Sequence, residues 1–419
     1  MLNRNIALLI SCYMISMLAS TPVLAQKNAG NGSPIQRPQS FDLSAMDQSV
    51  DPCEDFYEYA CGTWRKNNPI PSDQVFWARY NQLGEYNREV LHQILEKASN
   101  VTPERTKAAI IAGDFYSSCM NEAAVSRAGL EPLRGRLARI ALITNRDQFL
   151  KQVAWLHSMG VPALFEFGAQ PDLHDATKEI ATVFQGGLGL PDRDYYLNPD
   201  EKSKAVRARY LAHMATMLTM AGDDSLTAQK EASAVLEVES KLAEAMLERV
   251  KMRDPKNRDH KMALPELASL APAIPFQQFF KASSAPAVEH VNVAPPEFFQ
   301  KLNLLLESVP LDDWKTYLKW HVVQASAQFL PDSFVKEDFE FERHYLNGQK
   351  ELEPRWKRCV SAADTLVGQA LGRVYVEQAF TAASKQRALE MIDLEEKALA
   401  ENIQELPWMT AETKLQALL

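Results

Sequence analysis

Glu201–Gly222 reads EKSKAVRARYLAHMATMLTMAG. Val206, Tyr210, Met214, Leu218 and Ala221 recur at the three-to-four-residue spacing of one helix face, while Lys202, Lys204, Arg207 and Arg209 fall mostly elsewhere. Gly222 stands where the turn that closes such a helix needs a residue free to take positive φ. The stretch predicts an amphipathic helix, and the same period recurs around it. Thr227–Arg249 predicts a second helix, with Val235, Leu242, Met246 and Val250 on its stripe, Glu/Lys pairs outside it, and Asp254-Pro255 ending it. Pro310–Leu330 predicts a third, with Leu311, Trp314, Leu318, Val322, Ala325 and Phe329 facing one way, and Ser384–Leu406 a fourth, stopped by Pro407. Strand patterns are confined to Glu289–Val293 and Ala181–Gln185. Neither supports a large sheet, so the expected fold is mainly α: a multi-helix array with few short strands. The proline-rich stretch between Pro255 and Pro296 reads as its joint.

Composition agrees. Of 419 residues, 46% are hydrophobic and 24% charged, which excludes a disordered or collagen-like chain. Only 16 are glycine, roughly half the usual ~7%, leaving few positions for phosphate-cradling loops. A formal charge of −9 argues against a phosphate-binding surface, so no nucleic-acid partner is expected.

The N-terminus has a separate logic. Arg4 precedes an apolar run from Ile6 to Leu18, and Val23-Leu24-Ala25 places short side chains at the −3 and −1 positions of a cleavage site after Ala25. Residues 1–25 therefore read as a signal peptide, and the mature chain as periplasmic or secreted. A spanning anchor is a competing reading, although the run is shorter than the ~20 residues a membrane helix needs. Lipidation at Cys12 is another, although the apolar run continues past it. Gln26–Ser40 is rich in Gly, Asn, Pro and Gln and reads as a flexible spacer. Order is expected near Phe41, with boundaries set at 26–45 for the spacer and 46–419 for the helical region. After export Cys53, Cys61, Cys119 and Cys359 remain, too scattered for a zinc site of CxxC pairs and better read as disulfide formers.

Five ordered stretches carry a family resemblance. Residues 51–64, DPCEDFYEYACGTW, pack two cysteines and four aromatic side chains into one segment, which by physics alone is an anchor that packs rings and crosslinks the N-terminus. The string resembles the opening of the neprilysin and endothelin-converting-enzyme family of zinc metallopeptidases. GLGLPDRDYY at 187–196, WKTYLKW at 314–320, PRWKRC at 354–359 and LPWM at 406–409 with Thr413-Lys414 resemble further family segments in the family's order. The resemblance covers residues 46–419. It implies two mostly helical domains around a closed cavity, one carrying zinc and thermolysin-like, the other restricting access to oligopeptides. The chain is similar to the second domain.

The family chemistry needs two histidines four residues apart on a helix, so that both imidazoles face one Zn²⁺, with a glutamate after the first as general base. His92, His157, His174, His213, His260, His290, His321 and His344 are all the histidines here, and none begins an HExxH. The family's substrate-holding Asn-Ala-Phe/Tyr is likewise absent, Val291-Asn292-Val293-Ala294 being a superficial likeness. No zinc is therefore expected on this chain alone, although the complete family enzyme carries it. By the family's pairing Cys119 bonds Cys359, whereas Cys53 and Cys61 have partners beyond Leu419. The expectation is the N-terminal part of an exported metalloendopeptidase that lacks its catalytic domain and is inactive alone. The alternative is a stand-alone, non-catalytic peptide-binding module. Phe76 and Asn81 are the specificity candidates: alignment through Trp77, Leu83, Glu85 and Asn87 puts Phe76 where the family has an arginine able to grip a substrate's C-terminal carboxylate. Plain core packing is the other reading of Phe76.

Overall fold

The computed structural model describes residues 41–419. The leader expected at 1–25 and most of the spacer lie outside the described residues. Residues 42–45 are already fixed, with Asp42 Oδ1 accepting from Ser44 N at 3.0 Å and its Oδ2 3.2 Å from Arg79.

The chain is mainly helical. The first group of helices is α1 (Phe56–Asn67), α2 (Arg79–Ser99), α3 (Lys107–Met120), α4 (Glu122–Ala128), α5 (Glu131–Ala141) and α6 (Arg146–Ser158). A hairpin of β1 (Phe165–Asp172) and β2 (Asp175–Gln185) leads to α7 (Asp194–Leu197), α8 (Glu201–Met220) and α9 (Ser225–Ala245). β3 (Lys261–Ala263), α10 (Leu264–Leu270), α11 (Phe276–Ala282) and β4 (His290–Ala294) come next. α12 (Pro296–Ser308), α13 (Leu311–Ser326) and α14 (Asp332–Asp338) run into a π-helical segment at Phe339–Tyr345, and α15 (Arg355–Ala379), α16 (Ala382–Glu405) and α17 (Ala411–Ala417) finish the chain.

Local chemistry sets the helix starts. Asp55, Thr106, Asn145, Asp200 and Asp224 each turn a side-chain oxygen onto a free first-turn N–H, satisfying donors that a helix cannot pair internally. α8 ends as its sequence implies, with Gly222 at φ +117 and its N–H on Thr219 O.

Two cores organise these elements. The larger gathers α6, α8, α9, α11, α12 and α13 around the sheet, with Trp314, Trp320, Tyr210, Phe165 and Phe299 fully buried. The smaller packs α2, α3 and α15 through Ile94, Leu95, Ala112, Tyr116, Val360 and Leu371. At Gly113 a methyl group would collide with the Ala98 carbonyl, so glycine is what lets α3 lie against α2. The disulfide Cys119–Cys359 joins α3 to α15 across 240 residues of sequence.

The sheet has the order β1-β2-β4-β3. β2 pairs with β4 in parallel, Ala181 opposite Val291, so the two expected strand segments are neighbours linked by a long helical crossover. β1 and β3 carry no legible strand pattern: β1 contains Gly168 and Pro171 and is half exposed, and β3 is three residues long.

Three expectations need correction. Val250 does not join the α9 stripe and is exposed, because the helix stops at Ala245. Ala325, still within α13, is exposed, and Phe329 leaves the stripe because a 3₁₀ turn at Ala327–Phe329 rotates the chain and buries Ala327 and Leu330 instead. The stretch from Pro255 to Pro296 is not a surface joint: Leu267, Ile274, Phe276, Phe279, Phe280, Val291 and Val293 are buried in the larger core. Its prolines start short helices packed by aromatic residues.

Candidate functional site

Two of the sequence stretches that stood out, 187–196 and 314–320, meet at one buried carboxylate. Glu239, on α9, is 0% exposed. Tyr196 donates to its Oε2 at 2.8 Å, Tyr210 to its Oε1 at 3.3 Å, and His321 Nε2 lies 3.0 Å from the same Oε1. The network continues outward, Trp320 Nε1 donating to Tyr210 Oη at 2.7 Å and Leu190 N to Tyr196 Oη at 2.8 Å. Burial, with Glu239 alongside, drives both tyrosine hydroxyls well above their ordinary pKa, so they remain protonated donors. Tyr317 Oη donates to Gly187 O at 2.8 Å and accepts from Leu164 N at 2.9 Å. At Gly189 a Cβ would collide with Tyr210 Oη, so the loop comes this close only because it carries glycine. This arrangement positions the 187–196 loop.

The run at 354–359 does the same for the N-terminal helices. Lys357 Nζ bridges Asp73 Oδ2 and Glu85 Oε2, both at 2.8 Å. Burial by itself would lower the Lys357 pKa, but the two carboxylates outweigh it and raise it. Trp356 stacks on His92 with centroids 4.4 Å apart, and Arg355 Nε donates to Cys119 O at 2.8 Å. Lys350 N and Glu351 N both donate to Ser72 O. Residues 72–88 are thus fastened at several points, and this is the segment that carries both specificity candidates.

Phe76 is 51% exposed with its ring against Tyr80. Asn81 Oδ1 accepts from Ala78 N at 2.8 Å and caps the start of α2, so its carbonyl is committed to the helix. Phe56, Tyr57, Ile70, Val75, Tyr80 and Leu83, from the same N-terminal stretch, are also exposed. In the stretch at 51–64 Cys53 and Cys61 are free thiols, while Trp64 and Thr63 tie α1 to Gln82 and to Met46 O. A second apolar surface runs along α16 and α17, where Leu389, Ile392, Leu399 and Leu415 are uncovered and Trp408 is 72% exposed. Of the residues of α16 only Ile403 is buried.

The described residues do not fit a zinc centre. Among the described residues no group of three or more His, Cys, Asp and Glu side chains is placed to hold a metal ion. The buried histidines face single carboxylates or a backbone carbonyl: His213 Nδ1 lies 3.0 Å from Glu337, His321 is on Glu239, and His157 Nε2 lies 2.9 Å from Ala163 O. Asn292 is equally committed, accepting from His260 N and donating to Arg258 O, both at 2.8 Å. No catalytic step through a metal is derived from this chain. Among the described residues no helix is long and apolar enough to cross a membrane.

Comparison with known proteins gives one consistent result. The model of peptidase family M13 matches residues 52–419. Endothelin-converting enzyme 1 of Rattus norvegicus is 32% identical over 388 residues, covering 90% of this chain and 50% of that protein. Neprilysin-3 of Drosophila melanogaster is 27% identical over 398 residues, again 90% of this chain and 50% of the other. The crystal structure of Mycobacterium tuberculosis zinc metalloprotease ZMP1 in complex with inhibitor matches with a TM-score of 0.82 at 30% identity, over 91% of this chain and 58% of that one. The chain spans about half the length of the curated relatives it matches.

Proposed function

The chain belongs to peptidase family M13, and from that premise we propose that residues 46–419 are the helical, access-restricting region of an exported zinc metalloendopeptidase acting on oligopeptides. Metal, general base and substrate clamp belong to a catalytic region outside these residues, and the present chain alone is inactive. The observation that carries the reading is a family match over residues 52–419 in a chain whose eight histidines include no HExxH. The exposed apolar surface on α16 and α17 supports it: a stripe of this kind is costly in water and suits a docking face for the catalytic region. Cys53 and Cys61, free here, are its disulfide partners. The leader after which Gln26 begins the mature chain takes the protein to the periplasm or outside the cell, where such pairs form.

The coding DNA beyond codon 419 tests this reading. An open frame that encodes HExxH is the expected result. A stop codon there, together with a Cys53–Cys61 pair in the purified protein, would instead favour a stand-alone peptide-binding module.

Phe76 adds a specificity expectation. With an aromatic ring where an arginine would hold a C-terminal carboxylate, internal cleavage is favoured over trimming. In the complete enzyme Phe76→Arg should raise the kcat/KM ratio of free-acid over amidated peptides by roughly ten-fold, the scale of one charge-assisted hydrogen bond. An unchanged ratio would remove Phe76 from substrate recognition.

A further inference from the structure

We propose that the polar cavity between the π-helical segment and the start of α15 is an anion site, in which the guanidinium groups of Arg343, Arg355 and Arg358 receive an oxyanion, the chemistry shared by inorganic phosphate and a peptide carboxylate. The cavity encloses about 490 Å³, and Gln324, Gln328 and Asp338 complete its polar wall. It sits where the two cores meet, and nothing in the proposed peptidase role requires it.

The charge balance points to a missing anion. α15 opens with Arg355, Lys357 and Arg358 in its first turn, with no acidic residue there and no side-chain cap. Three cations at the positive end of a helix, here one that kinks at Val367, are unfavourable unless anions face them. Lys357 has two carboxylates of its own. Arg358 spends only Nε, on Glu353 O at 3.1 Å, and Arg355 spends Nε on Cys119 O, its nearest carboxylate being an exposed Glu122 at 3.8 Å. Arg343 is exposed, and its guanidinium forms no close hydrogen bond or ion pair among the described residues, although Asp338 and Glu342 lie near enough to feel its charge. The carboxylates of the wall do not fill the deficit: Asp73 is held by Lys357 at 2.8 Å and Glu353 by Arg88 at 2.7 Å. Asp338 makes no ion pair among the described residues; burial raises its pKa, and His213 and Arg343 nearby offset only part of that rise. Burial, with Arg355 next to it, lowers the Arg358 pKa, and the attraction of Asp332, Glu122 and Glu353 offsets only part of that fall. Guanidinium forks bind oxyanions in paired hydrogen bonds, and an uncapped helix start adds backbone donors.

Calorimetric titration of the purified chain with sodium phosphate, and separately with an N-acetyl-glutamate peptide, against sodium chloride at matched ionic strength tests this. Saturable binding of either oxyanion with a Kd below about 1 mM, weakened roughly ten-fold or more by Arg343→Gln, is expected. The Arg343 side chain makes no bond that the fold needs, so this variant should keep the wild-type melting temperature in chloride, and Arg358→Gln provides a second reading. Tighter binding of phosphate would identify a free inorganic anion as the ligand, and tighter binding of the peptide a protein carboxylate. Heats equal to those of chloride, or affinities unchanged in both variants, would overturn the proposal.

Discussion

Replacing both Cys119 and Cys359 by serine is expected to cost the chain about 5 kcal/mol of stability, the chain-entropy value for so long a loop. The bond closes 240 residues of sequence, so the crosslink removes a large part of the unfolded ensemble's freedom. It also acts where folded support is thin. The smaller core is essentially the α2, α3 and α15 bundle, and its two halves come from opposite ends of the chain. A loss of this size is comparable to the whole stability of many domains. In urea the double variant should unfold at a much lower midpoint, with the bundle of α2, α3 and α15 separating before the larger core opens. Oxidised wild type treated with reductant should follow the same curve. Coincident curves for oxidised and reduced protein would contradict the assignment of the bond as the clamp of this bundle.

Glu239→Ala is expected to destabilise by about 3–5 kcal/mol, the range for breaking a buried charged network from one side. Three groups lose their acceptor at once: Tyr196 Oη, Tyr210 Oη and His321 Nε2. Each is buried, so no water replaces the carboxylate, and each stranded donor adds a desolvation cost. The damage should spread to the 187–196 loop, which hangs on Tyr196 through Leu190 N. Glu239→Gln retains the shape and one acceptor and should cost about 1–3 kcal/mol. Thermal unfolding of the two variants beside wild type measures both. An alanine variant within about 1 kcal/mol of wild type, inside the range of an ordinary surface substitution, would show the network to be dispensable.

Glu239 also marks how far the sequence is legible. Val235, Glu239, Leu242 and Met246 are spaced four, three and four residues apart, so the carboxylate lies on the apolar stripe of α9. Its position on the stripe is the available signal of a buried charge. Counted simply among Glu/Lys pairs it reads as solvated, because its partners arrive from α7, α8 and α13 and no local pattern announces them. Helix existence is legible wherever the period is strong and a cap is present, as at Gly222. The apolar period runs on too far at Val250 and Phe329, where turn geometry ends the helix first. Pro255–Pro296 misleads in the other direction: proline density suggests surface, while Phe276, Phe279 and Phe280 bury themselves in a core that long-range packing creates. The Cys119–Cys359 pair is legible only through family resemblance, since four cysteines fix no connectivity by spacing alone. Phe76 is reached by the same route, and its exposure is a property of the fold. The cavity arginines carry no motif; only the structure shows that Arg343 reaches the side of α15 that bears Arg355 and Arg358.

The central claim is that these residues form the access-restricting region of a zinc peptidase whose chemistry lies elsewhere. The direct measurement is metal content and turnover of a purified chain comprising residues 26–419, assayed on a quenched fluorescent oligopeptide with and without a zinc chelator. No stoichiometric zinc and no chelator-sensitive hydrolysis are expected. Zinc bound at one equivalent, with peptide cleavage abolished by the chelator, would contradict it.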